Sequence, residues 1–570
     1  MHYLSFLQLL IFFVPLLITA KYLGIHLYNA LTEGKKPFLS SVISPLEKLT
    51  YKIARIDTKE THNWKQYLAS SLLLSLLGIV FVLVILLSQG YLPFNPQNFA
   101  ALPFSLALNI AISFVTNTNL QNYAPETTLS AFSQMTALTV QNFISPAIGL
   151  CIAAALVRSI ASKGGGILGN FWVDFIRVSY YIFLPLALIL SVLFVAQGTP
   201  QNFTGYTKIT TMEGNSELIV QGPIASQEAI KVLGTNGSGY TNTNSAHPFE
   251  NPTPFSNYLQ IFFMLILPFA QITYFGKSID HKKHARSIFA VLGCILLVGI
   301  LCITTFESAG NPVLAPLAID SSQGNMEGKE LRFSILSTSL YTGASSASTN
   351  GGVCSNIDSY SPLGGMIPLI NIELGETIFG GIGSGIYKII ILILIAVYLA
   401  GLIAGKTPEY FGKKIESFDI KMMMSAVCIC LFTTLGAAAW AIISPWGKEA
   451  ILNNGPHGFT EVLYTFCSAV GNNGSSFLGS SASTTGYNWV TSVVMLIGRF
   501  GPMIPVMALA DSLNRKKKHI SNGSSLPLSG IPFIILLIGI LLTLGALTYL
   551  PSVIMGPVLE HIFSQEGVLF

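Results

Sequence analysis

Long apolar runs alternate with polar punctuation along the chain. The runs lie at Ser5–Leu31, Gln66–Ser88, Gln134–Ile160, Phe171–Val195, Phe255–Phe275, Ser287–Thr305, Thr377–Ala404, Met422–Ile443, Trp489–Leu509 and Ile531–Leu550. A helix crossing a hydrocarbon layer takes ~20 apolar residues, so the pattern predicts about ten spanning helices. The first run lacks the basic leader of a signal peptide and continues past Lys21 to Leu31, so it is expected to be kept as a helix. Between alternate pairs of runs lie shorter, half-apolar segments of about ten residues, too short to span and suited to re-entrant half-helices. Irregular backbone at membrane depth needs protein or water around it, so these segments imply a cavity.

Composition agrees. Of 570 residues, 51% are hydrophobic and 10% are charged, against roughly 25% charged in soluble domains. The net charge of +4 is too small for a nucleic-acid-binding surface, but its placement is informative. Of the 30 Lys and Arg, 21 fall in segments 32–65, 156–170, 277–286, 406–421 and 513–519, and only 5 in the alternate loops. The positive-inside rule makes the first set cytoplasmic and turns both termini outward. Cys151, Cys294, Cys302, Cys354, Cys428, Cys430 and Cys467 lie mostly in apolar runs without a CxxC spacing and read as small buried residues.

The four short segments close on Val115–Asn119, Gly234–Gly239, Ser348–Gly352 and Gly471–Ser475. Taking Asn119, Gly237, Gly351 and Gly474 as equivalent, the spacings are 118, 114 and 123 residues, which predicts four fused helix–half-helix–helix units. Glycine permits positive φ, so successive carbonyls can point one way and four loops can form stacked oxygen rings that replace a cation's water. A half-helix aims its partly negative C-terminal end at the cavity, favouring a cation. The expected fold is all-α and polytopic: an N-terminal helix with a cytoplasmic linker (1–60), four pore repeats (61–171, 172–285, 286–415 and 416–525) and a C-terminal helix (526–570).

Charges inside apolar runs need a reason. Arg499, in Gly498–Gly501, either pairs with a carboxylate on a neighbouring helix or stands below the loops as a barrier to cations; Glu376 is the acidic counterpart in the third repeat. Beside it, Gly380, Gly381, Gly383 and Gly385 crowd into six positions. They either pack helices closely or break one, and their occurrence in the third repeat alone favours a break that serves as a gate. Glu126, His247 and Glu250 follow the first two loops on the outward side; the acids either raise the local cation concentration at the entrance or cap and brace the chain, with capping or bracing the expected role, and His247 has no second metal ligand nearby.

The stretches TNTNLQNYAPETTLSAFSQMTALTVQNF (Thr116–Phe143), LGTNGSGYTNTNSAHPFENPT (Leu233–Thr253), SPLGGMIPLINIELGETIFGGIGSGIY (Ser361–Tyr387), KTPEYFGKKI (Lys406–Ile415), and GNNGSSFLG through GRFGPMIPVMALADSL (Gly471–Leu513) closely resemble the KdpA family, the potassium-binding subunits of bacterial Kdp ATPases. The resemblance implies a fold shared with tetrameric potassium channels and Trk/Ktr transporters, and location in the bacterial inner membrane. K+ is the implied transported ion, entering from the periplasm and diverted by a tunnel into a P-type ATPase partner, KdpB, with KdpC and KdpF as accessory subunits. It assigns the filter to Asn117, Thr118 and Asn119, to Thr235, Asn236 and Gly237, to Thr349, Asn350 and Gly351, and to Asn472, Asn473 and Gly474. Gln121 matches a selectivity-associated position, and the resemblance supports Arg499 below the filter. Leu120 stands where many members have Trp, Lys406 where Arg is common, and the third loop departs most from the family pattern.

Other motifs carry no chemistry. Gly164–Gly169 satisfies GxGxxG with no strand before it, and Gly401–Thr407 is one residue short of a P-loop. The P-type phosphorylation motif Asp-Lys-Thr-Gly-Thr is absent, and no polar segment is long enough for a nucleotide domain. This chain is therefore expected to bind no nucleotide and to need a partner for ATP hydrolysis. The alternatives are a stand-alone potassium channel or ion-coupled symporter, and a membrane scaffold, against which the four loops argue.

Overall fold

The computed structural model describes residues 3–166, 168–311, 322–375, 377–519 and 527–568. Among them, ten helices are long and apolar enough to cross a membrane. The first half of the chain supplies α1 (Tyr3–Leu31), a short α2 (Ser40–Ala54), α3 (Trp64–Ser88), α4 (Phe104–Val115), α5 (Ser133–Ala161), α6 (Phe171–Gln197), α7 (Ile224–Leu233) and α8 (Pro254–Ser278). The second half supplies α9 (Lys282–Ser308), α10 (Ile335–Ala347), α11 (Pro362–Glu373), α12 (Ser384–Ile403), α13 (Ser417–Ile443), α14 (Gly455–Gly471), α15 (Thr485–Arg515) and α16 (Ile531–Gln565).

Polar caps set several boundaries. Asn63 Oδ1 accepts the Lys65 and Gln66 amides at 3.0 Å while Gln66 Oε1 accepts the Asn63 amide at 2.9 Å, a reciprocal cap on α3. Thr253 and Ser256 cap α8 in the same way.

Burial sorts the spanning helices into two rings. The helix after each half-helix, α5, α8, α12 or α15, is 67–89% buried over its apolar window, whereas α3, α6, α9 and α13, which precede the half-helices, are 28–39% buried. The first set forms the inner wall and the second faces lipid. α1 and α16 lie outside this plan, α1 packed along α8 and α16 against α9 and α12. Gly24 allows the first contact, since a Cβ there would press on the Ala270 carbonyl and Thr273.

Three details differ from the sequence reading. The run expected to be helical from Thr377 is helical only from Ser384; Ile378 and Phe379 are buried and keep the hydropathy high, but the glycines around them leave the helix. The linker after α1 contains α2, and a hairpin of β1 (Thr207–Thr210) with β2 (Ser216–Ile219) stands between α6 and α7. Cys151, Cys354 and Cys467 are buried, but Cys294 is exposed on α9.

Candidate functional site

The half-helices α4, α7, α10 and α14 each run into one polar loop. At the same place in each, a carbonyl near the helix end holds the loop: Ser113 accepts the Thr118 amide at 2.9 Å, Lys231 that of Asn236 at 2.9 Å, Ser345 that of Asn350 at 3.0 Å and Ser468 that of Asn473 at 2.9 Å. Two residues per loop then take positive φ at matching positions: Asn117 and Asn119 (64° and 55°), Thr235 and Gly237 (49° and 85°), Thr349 and Gly351 (58° and 73°), Asn472 and Gly474 (63° and 99°). Positive φ is rare for a β-branched residue, so its recurrence at Thr235 and Thr349 marks a backbone held by its surroundings. The shared pattern makes Asn119 the counterpart of the three glycines.

The loops close on one another in chain order. A Cβ on Gly237 would overlap the Asn350 carbonyl, one on Gly351 the Asn473 carbonyl, and one on Gly474 the Thr118 carbonyl. Between the first and second loops the contact is made by side chains. Asn117 Nδ2 donates to the Thr235 carbonyl at 2.9 Å, and Asn119 Nδ2 to Asn142 Oδ1 at 2.6 Å and Ser238 Oγ at 2.8 Å. Gln121 fastens the loop exits, donating to the Gly239 carbonyl at 3.0 Å and accepting the Gly239 amide at 2.9 Å. Asn350 Nδ2 reaches the Lys231 carbonyl at 3.2 Å, and Asn472 Nδ2 reaches Thr118 Oγ1 at 2.9 Å.

The oxygens of these loops are neutral: backbone carbonyls, hydroxyls and amides. Asn119 Oδ1 and Ser348 Oγ are buried without a hydrogen-bond partner among the described residues. Small divalent cations draw carboxylates or retain water, whereas neutral oxygens around a narrow axis suit a large monovalent cation.

Beneath the loops the chain between α11 and α12 turns inward. Gly381 donates its amide to Thr349 Oγ1 at 2.9 Å, Ile382 to Thr235 Oγ1 at 3.3 Å, and Gly383 to Gln271 Oε1 at 2.8 Å. The buried Gly380 lies in this turn, and the Gly385 amide bonds the Gly381 carbonyl at 2.9 Å. Gly383 has φ 80°, and a Cβ on it would overlap the Gly149 carbonyl of α5. Phe379 is stacked on Phe269 with centroids 3.8 Å apart. Arg499, 4% exposed, donates Nη2 to the Ser145 carbonyl at 2.8 Å, and its guanidinium borders Gly149. Arg499 and the Gly-rich turn therefore meet the same stretch of α5. Glu376 lies outside the described residues. A mainly apolar cavity of about 130 Å³ opens beside the turn, lined among others by Glu373, Thr377, Tyr387, Lys388, Cys467 and Val470.

Lys231, grouped in sequence with the loop cations, is instead fully buried in α7. Its Nζ meets Glu228 Oε2 at 3.0 Å, Glu250 Oε2 at 3.1 Å and Ser245 Oγ at 2.7 Å. It occupies the position of Ser113, Ser345 and Ser468, and an aligned Lys–Ser–Ser–Ser column was the available signal. Glu250 also accepts the Thr241 amide and hydroxyl, each at 2.7 Å, and Glu126 the Asn242 amide at 2.9 Å, so both acids brace the loop exits. His247 accepts the Phe249 amide at 3.1 Å.

Among the described residues, ten spans with four half-helices converging on oxygen-lined loops define a pore-loop membrane transporter. A family model described as Potassium-transporting ATPase A subunit, KdpA, matches residues 10–562, and the chain belongs to that family. It is 46% identical over 558 residues to the potassium-transporting ATPase potassium-binding subunit of Yersinia pseudotuberculosis serotype IB (strain PB1/+), covering 98% of each chain. The protein of the same name from Yersinia pestis (strain Pestoides F) is 45% identical over the same length, again with 98% coverage of both. Among solved structures, the potassium transporter TrkH from Vibrio parahaemolyticus aligns with a TM-score of 0.51 at 15% identity, over 86% of this chain and 97% of its own; the likeness is one of fold.

Proposed function

We propose that the four loops select K+ on the outward face of the bacterial inner membrane and that the chain passes the ion to a P-type ATPase catalytic subunit for ATP-driven uptake. The observation that carries this reading is the recurrence of paired positive φ at Asn117/Asn119, Thr235/Gly237, Thr349/Gly351 and Asn472/Gly474 around neutral oxygens. Family membership supports K+ as the ion and KdpB, KdpC and KdpF as the partners. The 21 cations on alternate segments support termini that face the periplasm. Gly380, Gly381, Gly383, Gly385 and Arg499 form a floor that hinders K+ from running straight through, with Glu376 as the acidic counterpart in this scheme. The cavity beside Thr377 and Tyr387 is the start of the lateral route. ATP binding and hydrolysis belong to the partner.

The second reading is a stand-alone channel or symporter, to which the TrkH-like fold is equally suited. Purification from native membranes decides between them. The pump reading expects a P-type ATPase to co-purify and the isolated chain to carry no steady K+ current in liposomes. A steady current from a chain with no ATPase attached would establish the second reading.

A further inference from the structure

The helix α2 is amphipathic in the reverse sense for a water-facing element. Its polar side is turned to the protein: Tyr51 and Tyr181 donate their hydroxyls to Glu47 at 2.8 and 2.6 Å, Arg177 pairs with Glu47 at 3.5 Å, and Thr50 Oγ1 bonds Tyr180 OH at 3.0 Å. Its other side carries Val42, Leu46, Leu49 and Ile53, at the spacing of one helical face, and they are 74%, 45%, 52% and 75% exposed. None of the residues of α2 is buried. A helix that spends its polar groups on the protein and presents its aliphatic groups outward is built for a non-aqueous neighbour.

The surroundings say which neighbour. α2 joins the ends of two spanning helices, α1 and α3, and its footing is on a third: Tyr180 lies nine residues into α6 from Phe171, or roughly 14 Å along its axis. That places the contact on the wall of a membrane-spanning helix and not on a loop in water. Further along the same helix, Leu188, Ile189, Val192 and Val195 are exposed as well, so the apolar face of α2 continues a lipid-facing surface. Lys48 and Lys52, one turn apart and both exposed, flank the apolar face, and segment 32–65 carries seven Lys and Arg against four Asp and Glu.

We propose that α2 lies in the boundary layer of the bilayer on the face bearing the basic loops, with Val42, Leu46, Leu49 and Ile53 among acyl chains and Lys48 and Lys52 at anionic headgroups. This is the geometry of an interfacial anchor whose lysine stems reach up to phosphate. The proposal is independent of which ion the loops take.

The test uses the full chain with the partners that co-purify, in vesicles of phosphatidylethanolamine and phosphatidylglycerol, with benzoylphenylalanine in place of Val42. The same photoreactive residue in place of Val192 reports the yield at a lipid-facing site. Illumination is expected to give phospholipid adducts at position 42 at a yield comparable to that at position 192. Adducts at position 42 with another polypeptide, whether a different subunit or a second copy, overturn the proposal; so does loss of adducts there while position 192 still reacts, since the face is then in water. In the paired Lys48→Gln, Lys52→Gln background, the enrichment of phosphatidylglycerol among adducts should disappear; unchanged enrichment overturns the headgroup assignment.

Discussion

Gly383 approaches Gly149 so closely that no side chain fits between them: a Cβ on Gly383 would overlap the Gly149 carbonyl carbon and oxygen. This contact seats the turn between α11 and α12 under the second and third loops, where its amides bond Thr235 Oγ1 and Thr349 Oγ1. Replacing Gly383 by Ala adds that overlap to the strain of a non-glycine residue at φ 80° and ψ −53°, about 1–3 kcal/mol. The turn is expected to shift away from α5 while the bundle stays assembled. Transport rate should fall or lose its dependence on ATP, with the complex eluting intact from a sizing column. Loss of assembly with no change in the transport of surviving complex would make the glycines packing residues only.

Arg499 Nη2 borders the same glycine, Gly149, beside the Ile382 carbonyl of the turn. A cation there repels a second cation leaving the loops downward. Arg499→Ala should lower K+ taken up per ATP hydrolysed in proteoliposomes, and Arg499→Lys, which keeps the charge, should restore most of the ratio. An unchanged ratio in the alanine variant would remove the barrier role.

Lys231 neutralises part of the charge on Glu228 and Glu250 directly behind the second loop. Lys231→Met would leave two buried carboxylates unpaired, a loss of roughly 3–5 kcal/mol. We expect a lower Tm for the complex and weaker K+ dependence, with partial recovery of both when Glu250→Gln is added. Equal Tm for Lys231→Met and the parent protein would show that the cluster carries no such load.

At the mouth of α14, His457 bonds Asp358 Oδ1 at 3.0 Å and Glu560 Oε1 at 2.9 Å, clamping the C-terminal helix to the segment after the third loop. Burial pushes its pKa down, but the hydrogen bonds and charges of the two carboxylates outweigh this and raise it from 6.5 to about 10. A raised histidine pKa stabilises the folded form fully below 6.5, and the stabilisation is lost as pH rises through about 10. The Tm difference between the parent protein and His457→Gln should therefore be constant in mild acid and shrink across that window. A difference that grows with pH would reverse the assigned protonation.

The spans were legible because lipid leaves little choice: the apolar runs set ten helices, and the regular loop spacing set the fourfold plan. The equivalence of Asn119 with the glycines was legible from spacing only to within one residue; what fixes it, positive φ, is a backbone property. Lys231 read as a loop cation because its burial shows only when the four loops are aligned and it falls among three serines; its partner Glu250, nineteen residues away, is brought to it by folding. The start of α12 was misplaced because Ile378 and Phe379 supply hydropathy just ahead of a glycine-driven turn. α2 escaped notice because a short helix with its apolar face outward looks, in sequence, like a basic linker.

The central claim is that the loops themselves hold the ion. Thallium(I), a heavy K+ substitute, can be located by anomalous scattering in crystals of the complex. The account predicts density between the carbonyls of Thr118, Asn236, Asn350 and Asn473 that fades when K+ is added in excess. Thallium bound elsewhere in the chain, with those carbonyls empty, would contradict it.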